Sequence, residues 1–297
     1  MDILALSPAA LVMALGAGFG YGCSGLVNKR AAGHASPLAV MGLMFVPCLV
    51  IGIVGFALAP DFRLIPAYWL PFGCSVLANC LGNFCYLAAM RSTPISLIGA
   101  STGLLPVIAA LLAWLLLGET LSGRQWLGIG LSFLGLVIAY IPPREDGQKW
   151  HDGLAYFKHR GAWLMVGAAF GWAAASPFDK QAAQAASVQL HMVLVYAALI
   201  VVSGAVLAMR RQKPWAGLNG QQLIQIGTAG LLRGLAYNLQ LAALVLAPVG
   251  LTELAKRIAT PLVTMVGGKL WFHEPLTPTK LIGTAIFLAA LPLVVLK

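Results

Sequence analysis

Ten apolar runs separated by short polar breaks make up most of this chain. They fall at roughly 8–28, 38–58, 68–89, 95–117, 124–141, 161–180, 190–209, 221–245, 249–270 and 280–296. Each is about 20 residues long, enough for a helix rising 1.5 Å per residue to cross a ~30 Å hydrocarbon layer. The pattern predicts an all-α membrane protein with ten transmembrane helices. The first run is long and glycine-rich, and only Asp2 carries charge before it. It therefore reads as a structural helix rather than a cleaved signal peptide. The longest polar break, 142–160, is mixed in sign and reads as a solvated linker.

The second half repeats the first. Phe19-Gly20-Tyr21 and Lys29-Arg30-Ala31-Ala32 align with Phe170-Gly171-Trp172 and Lys180-Gln181-Ala182-Ala183, an offset of 151. Pro106, Glu119, Leu121 and Gly128 align with Pro261, Glu274, Leu276 and Gly283, an offset of 155. Residues 1–141 and 161–297 thus form two five-helix repeats, with 142–160 between them. An odd number of spans reverses the direction of the next copy, so the repeats are expected to be inverted, as in many secondary transporters.

The motifs around the second offset carry a family resemblance. Leu105-Pro106 leads to Leu117-Gly118-Glu119-Thr120-Leu121 and then Gln125-Trp126-Leu127-Gly128. Thr260-Pro261 leads to His273-Glu274-Pro275-Leu276 and then Lys280-Leu281-Ile282-Gly283. In both helix four and helix nine a proline is followed thirteen residues later by Glu, and a Gly opens the next helix. The chain resembles the ten-helix EamA-type members of the drug/metabolite transporter superfamily in this respect, over nearly its whole length. The resemblance implies two inverted repeats, a central substrate cavity, alternating access and, within that superfamily, export. It does not identify the cargo, because the superfamily carries amino acids, nucleotide sugars, sugar phosphates, cationic drugs and other metabolites.

Most of these motif positions have a structural reading. Glu119 and Glu274 follow helix ends and are expected to cap the next helix, whose first N–H groups lack partners. Pro106 and Pro261 each remove a backbone hydrogen bond and are expected to kink helices four and nine. Gly16, Gly18, Gly20 and Gly22 form two interleaved GxxxG pairs, which allow close helix approach in lipid.

Composition agrees with the pattern. The chain is 60% hydrophobic and 9% charged, with mean hydropathy +0.86; a soluble domain carries about 25% charged residues. The net charge of +10 comes mostly from residues at span ends, where they anchor to headgroups and set orientation. It gives no basic patch for nucleic acid. The side shared by the two termini holds Arg63, Arg124, Lys180 and Lys297, fewer cations than the other side. The positive-inside rule therefore places both termini outside. The cysteines (Cys23, Cys48, Cys74, Cys80 and Cys85) lie inside apolar runs without CxxC or His spacing. They predict neither a disulfide framework nor a metal site, and no cofactor is expected.

Helix eight carries Arg233 near its middle, and helix nine carries Glu253, Lys256 and Arg257 in its first turns. At the 155 offset the first half has Ala78, Ile98, Ser101 and Thr102 instead, so the architecture does not require these charges. A charge at the bilayer centre costs at least ~2.5–3.5 kcal/mol and usually faces a partner or a cavity. Arg233 keeps its proton and is expected to pair with Glu253. Glu253 also shares a helix face with Arg257, four residues on. Three positive charges then oppose one negative, and the surplus points to an anionic group on a substrate. Snorkelling to headgroups is the alternative for Lys256 and Arg257. The Lys-Arg pair also resembles the phosphate-binding pair of plastid sugar-phosphate translocators, about one helical turn out of register.

Asn79 and Asn83 lie on one face of helix three. Asn83 is matched by Asn238, with Tyr237 beside it, and Tyr21 and Trp172 are equivalent aromatics on helices one and six. These residues join the charged ones as candidate substrate contacts, with interhelical hydrogen bonding or plain packing as the alternatives. Asp179 and Lys180 are read as a solvated pair ending helix six, with Lys29 in the matching place on helix one. The expected function is secondary transport, in the direction of export, of a small organic metabolite that is anionic or zwitterionic. Coupling to protons or to a counter-substrate is expected, and the location is the cell (inner) membrane. Translocation of a lipid or lipid-linked headgroup is the alternative. A membrane-embedded enzyme is disfavoured because no HExxH, GxSxG or Walker motif appears. Oligomeric state cannot be read from the sequence.

Overall fold

The computed structural model describes residues 6–31, 33–93, 98, 104–139, 160–290 and 292–293. Within them the chain forms ten α-helices and a short 3₁₀ turn. The helices are α1 Pro8–Ala31, α2 Pro37–Leu58, α3 Trp69–Met90, α4 Leu105–Leu117 and α5 Gly123–Ala139 in the first half. The second half has α6 Arg160–Ala185, α7 Val188–Met209, α8 Gly220–Leu246, α9 Val249–Phe272 and α10 Pro278–Ala289. The 3₁₀ turn, Pro66–Tyr68, leads into α3. Of the expected linker only Arg160 lies among the described residues, and Ser101 and Thr102 lie outside them.

Five of the helices, α1, α2, α3 (with its 3₁₀ lead), α7 and α8, are long and apolar enough to cross a membrane. Helices α6 and α9 are as long, at 26 and 24 residues, but more polar. The described parts of α4, α5 and α10 run to 13, 17 and 12 residues, shorter than the runs of about 20 that span a bilayer. Large apolar side chains cover the outside, among them Leu58, Leu70, Leu77 and Val201. Lipid is the solvent this surface suits.

Helix ends follow the local sequence. Ser36, Ser187 and Thr277 each accept a hydrogen bond from the backbone three residues on, opening α2, α7 and α10. Asn219 and Gln222 form a reciprocal capping box on α8. Helices α4 and α9 end at repeat-equivalent residues, Gly118 and His273, both left-handed (φ 66° and 53°). That conformation is easy for Gly and costs a residue with a Cβ about 1–2 kcal/mol. Pro261 lies inside α9 as expected, whereas Pro106 falls in the first turn of α4 as described. In a first turn the missing N–H has no helical partner to lose.

The packing obeys the repeat. Helix α1 packs on α8 and α9, and its counterpart α6 packs on α3 and α4. Pairs α2–α7, α4–α9 and α5–α10 close on themselves, as a two-fold relation between halves requires. The two GxxxG pairs of α1 serve different neighbours. A Cβ on Gly16 would meet Leu239 and one on Gly20 would meet Ala236, both on α8. A Cβ on Gly18 would strike the Lys256 carbonyl, and one on Gly22 would meet Val263, both on α9. Gly171, the twin of Gly20, brings α6 against α3, where a Cβ would sit 2.5 Å from the Gly82 nitrogen. The repeated Phe-Gly-aromatic triplet therefore has three duties. Phe19 and Phe170 face outward at 59% and 52% exposure, the glycine makes the crossing, and Tyr21 and Trp172 turn inward.

Candidate functional site

The close α1–α8 and α3–α6 crossings, together with α2, α7 and α9, border a central cavity. Its wall is built from helical stripes. Helix α3 contributes Asn79, Asn83 and Tyr86, α6 Trp172 and Asp179, α8 Arg233, Tyr237 and Gln240, and α9 Lys256, Arg257, Thr260 and Thr264. The three- and four-residue spacings put each set on one helix face. Of the ten candidate contacts, Tyr21, Asn79, Asn83, Trp172, Arg233, Tyr237, Lys256 and Arg257 line this one cavity. Glu253 and Asn238 do not. Glu253 sits behind the wall at 0% exposure. Asn238, one residue round the helix from Tyr237, points its amide at the Met192 sulfur on α7 (3.8 Å).

Arg233 does not pair with Glu253, contrary to the expectation from sequence. Its guanidinium donates to Asn83 Oδ1 and lies over the rings of Tyr21 and Trp172, at 5.3 and 5.6 Å. Glu253 is occupied by its own helix: Oε1 accepts from Lys256 Nζ at 2.6 Å, and Oε2 lies 3.7 Å from Arg257. Ser176 on α6 also donates to Oε1 (2.8 Å). Partners three and four residues on are held by the helix itself, and they draw the carboxylate toward Lys256 and Arg257. Among the described residues it has no carboxylate within 4 Å.

Lys256 and Arg257 do not snorkel. They are 2% and 4% exposed. Lys256 Nζ bonds Glu253 and Gln240 Oε1 (2.8 Å), and Gln240 Oε1 also accepts from Tyr21 OH (2.8 Å). Arg257 lies over Trp172 at 5.7 Å, with its Nε unpartnered. Asn79 does not bridge helices: its amide donates to Ser75 on its own helix. Asn83 bonds back to the Asn79 carbonyl (2.8 Å), which orients its oxygen toward Arg233.

Asp179 and Lys180 are not a solvated surface pair. Helix α6 runs to Ala185, beyond the predicted end, so both lie within the helix and diverge. Asp179 is 1% exposed and turns into the cavity wall. Ser75 donates to its Oδ1, and His191 Nε2 lies 3.3 Å from the same oxygen. The other nitrogen of His191 is 3.2 Å from the Tyr68 hydroxyl. Lys180 turns the other way and donates to Glu119 Oε1 (2.6 Å) and the Ala247 carbonyl (2.8 Å).

Glu119 caps a helix, but not the next one. Its Oε2 accepts from the Val249 N–H (2.8 Å) at the start of α9. The next helix, α5, is capped by Ser122 and Gln125 instead. Glu119 and Lys180 thus tie α4 and α6 to the start of α9. The other end of the bundle has the equivalent set. Lys29 donates to the Met90 and Thr93 carbonyls, and Glu274 lies within its electrostatic reach.

Asp179, Gln240, Tyr86, Thr260 and Thr264 were missed as cavity residues from sequence. The signal was available for Gln240, which continues the 233–237 spacing. It was hidden for Asp179 by the misplaced end of α6.

An all-helical, membrane-spanning bundle of two repeated five-helix units around a polar cavity defines a class of membrane protein. Comparison with known proteins names the family: the EamA-like transporter family model matches residues 8–141 and 159–296, and the chain belongs to that family. It is 28% identical over 146 residues to "Uncharacterized transporter YwfM" of Bacillus subtilis (strain 168). That match covers 46% of this chain and 47% of the relative, so the chain spans about half the length of the curated relative it matches. A protein of known crystal structure shares the fold with a TM-score of 0.73 at 17% identity, over 97% of this chain and 98% of its own.

Proposed function

We propose that the protein is a secondary transporter that moves a small organic metabolite bearing an anionic group by alternating access, in the direction of export across a cell (inner) membrane. Protons or a counter-substrate drive it. The observation that carries this reading is Arg233, a charge 8% exposed in a cavity wall with no carboxylate within 4 Å among the described residues. Burying an unpaired charge is costly. A ligand carboxylate or phosphate offsets that cost when it binds. Lys256 and Arg257 share Glu253, and Asp179 adds a negative charge, so the cavity group of Arg233, Lys256, Arg257, Glu253 and Asp179 sums to plus one. That surplus favours a ligand that carries an anionic group.

The repeat-equivalent contacts of Lys180 with Glu119 and the Ala247 carbonyl, and of Lys29 with the Met90 and Thr93 carbonyls, support alternating access. Equivalent ties at opposite ends of an inverted repeat are the elements that would open and close in turn. Transport rather than catalysis is the reading that the family and the cavity favour.

The test is uptake into proteoliposomes of succinate, glycine, choline and glucose, with wild-type protein and Arg233→Gln. We expect succinate or glycine to accumulate with the wild type and to fall to the level of empty liposomes with Arg233→Gln. Accumulation of choline or glucose alone, or equal uptake by the variant, would overturn the reading.

A further inference from the structure

Several buried polar atoms around the cavity have no hydrogen-bond partner. Two are pure donors, Trp172 Nε1 and Arg257 Nε. They lie together, since the Arg257 guanidinium sits over the Trp172 ring and Arg233 sits over the same ring. Asp179 Oδ2 is an acceptor on the cavity wall, with the Tyr237 hydroxyl beside it, and Glu253 Oε2 is a second acceptor behind the wall, next to Arg257. Buried polar atoms are almost always satisfied, so unsatisfied ones in a cavity wall mark where a ligand's polar groups go. The wall therefore has a donor end and an acceptor end.

We infer that Asp179 is the ammonium-binding pole of the cavity, opposite the Arg233–Arg257 pole, and that the substrate is an extended zwitterion with its two charges at opposite ends. The inference rests on the reading of Arg233 and Arg257 as an anion site. Asp179 has the right chemistry for the second pole. Among the described residues no Lys or Arg nitrogen lies within 4 Å of it; its ion-pair neighbour is His191. Ser75 and His191 both hold Oδ1, which fixes the carboxylate and leaves Oδ2 for a ligand. A bound ammonium would also meet aromatic rings, since Tyr237 lies beside Asp179 and packs on Tyr196, and ring faces attract cations.

The helix rise between the residues that hold the two poles points to a wide spacing. On α3, Ser75 touches Asp179 and Asn83 touches Arg233; eight residues separate them, about 12 Å of helix rise. On α6, Asp179 and Trp172 are seven residues apart, about 10 Å. The charges of an α-amino acid, a few bonds apart, do not reach both poles at once. A linear chain with carboxylate and ammonium at its ends does.

The experiment is thermal stability of the purified full-length protein titrated with 6-aminohexanoate, hexanoate, hexylamine and glycine. A ligand raises the melting temperature by mass action. We expect 6-aminohexanoate to act at concentrations about tenfold lower than hexanoate, the scale of one charge-assisted hydrogen bond, with glycine no better than hexanoate. Asp179→Asn, close to isosteric, removes that advantage and leaves the hexanoate response. Tyr237→Phe, which keeps the ring packing, reduces the advantage. If 6-aminohexanoate and hexanoate act equally on the wild type, or if Asp179→Asn retains the difference, Asp179 is not an ammonium site while the anion site stands. If hexylamine alone stabilises the protein, both readings fall.

Discussion

Replacing Glu253 by alanine is expected to be the most damaging single change in the cavity region. Glu253 is 0% exposed, and its carboxylate lies between Lys256 at 2.6 Å and Arg257 at 3.7 Å. Removing it strands two buried cations and leaves the Ser176 hydroxyl without its carboxylate acceptor. Breaking a buried pair from one side costs about 3–5 kcal/mol, because the uncompensated charge stays behind. The variant should lose most of its folded yield in detergent, read as the monodisperse fraction on size-exclusion chromatography. Glu253→Ala combined with Lys256→Ala should recover much of that yield, since one stranded charge is then gone, and the coupling between the two sites is measurable as a double-mutant cycle. A Glu253→Ala protein as stable as the wild type would show that the cations are neutralised by other means.

The second large effect is expected at Glu119. One carboxylate there does two jobs, accepting from the Val249 N–H at the start of α9 and from Lys180 on α6. Glu119→Ala removes a helix cap, worth about 0.5–2 kcal/mol, and breaks an ion pair whose side chains are 12% and 7% exposed. The loss should be roughly 3 kcal/mol, taking the low end of the range for a buried pair. Lys180→Met should lose less, because the cap on α9 survives, and Glu119→Gln should fall between because it keeps an acceptor. The check is the midpoint of thermal unfolding for the three variants in one detergent. Equal losses for Glu119→Ala and Lys180→Met would mean that the cap contributes nothing.

Much of the fold was legible in the chain because bilayer thickness and helix rise leave little freedom. The ten helices lie where the apolar runs lie, and the two halves pack as the repeat implies. Helix ends were less legible. The sixth apolar run stops at residue 180, but α6 continues to Ala185 through a polar, alanine-rich stretch whose helicity hydropathy does not register. That error turned Asp179 and Lys180 into surface residues. Pairing across helices was also hidden. Sequence separation favours Glu253 as a partner for Arg233, whereas the helix had already committed Glu253 to residues three and four positions on. Glu119 shows the same limit: a carboxylate after a helix end reads as a cap, but only the three-dimensional arrangement selects α9 over α5. The glycines of α1 were legible as close contacts, and the division of their two pairs between α8 and α9 was not.

Arg233 decides the central claim, that the cavity's positive charge exists for a ligand rather than for the fold. The measurement is the melting temperature of purified wild type and Arg233→Gln, each with and without saturating succinate. Arg233 is buried without a carboxylate within 4 Å among the described residues, so its neutral replacement should leave the ligand-free melting temperature unchanged or raise it, while the succinate-induced rise expected of the wild type disappears. A sharp fall in the ligand-free melting temperature with the succinate response intact would contradict the account, making Arg233 part of the scaffold and leaving the anion site without its centre.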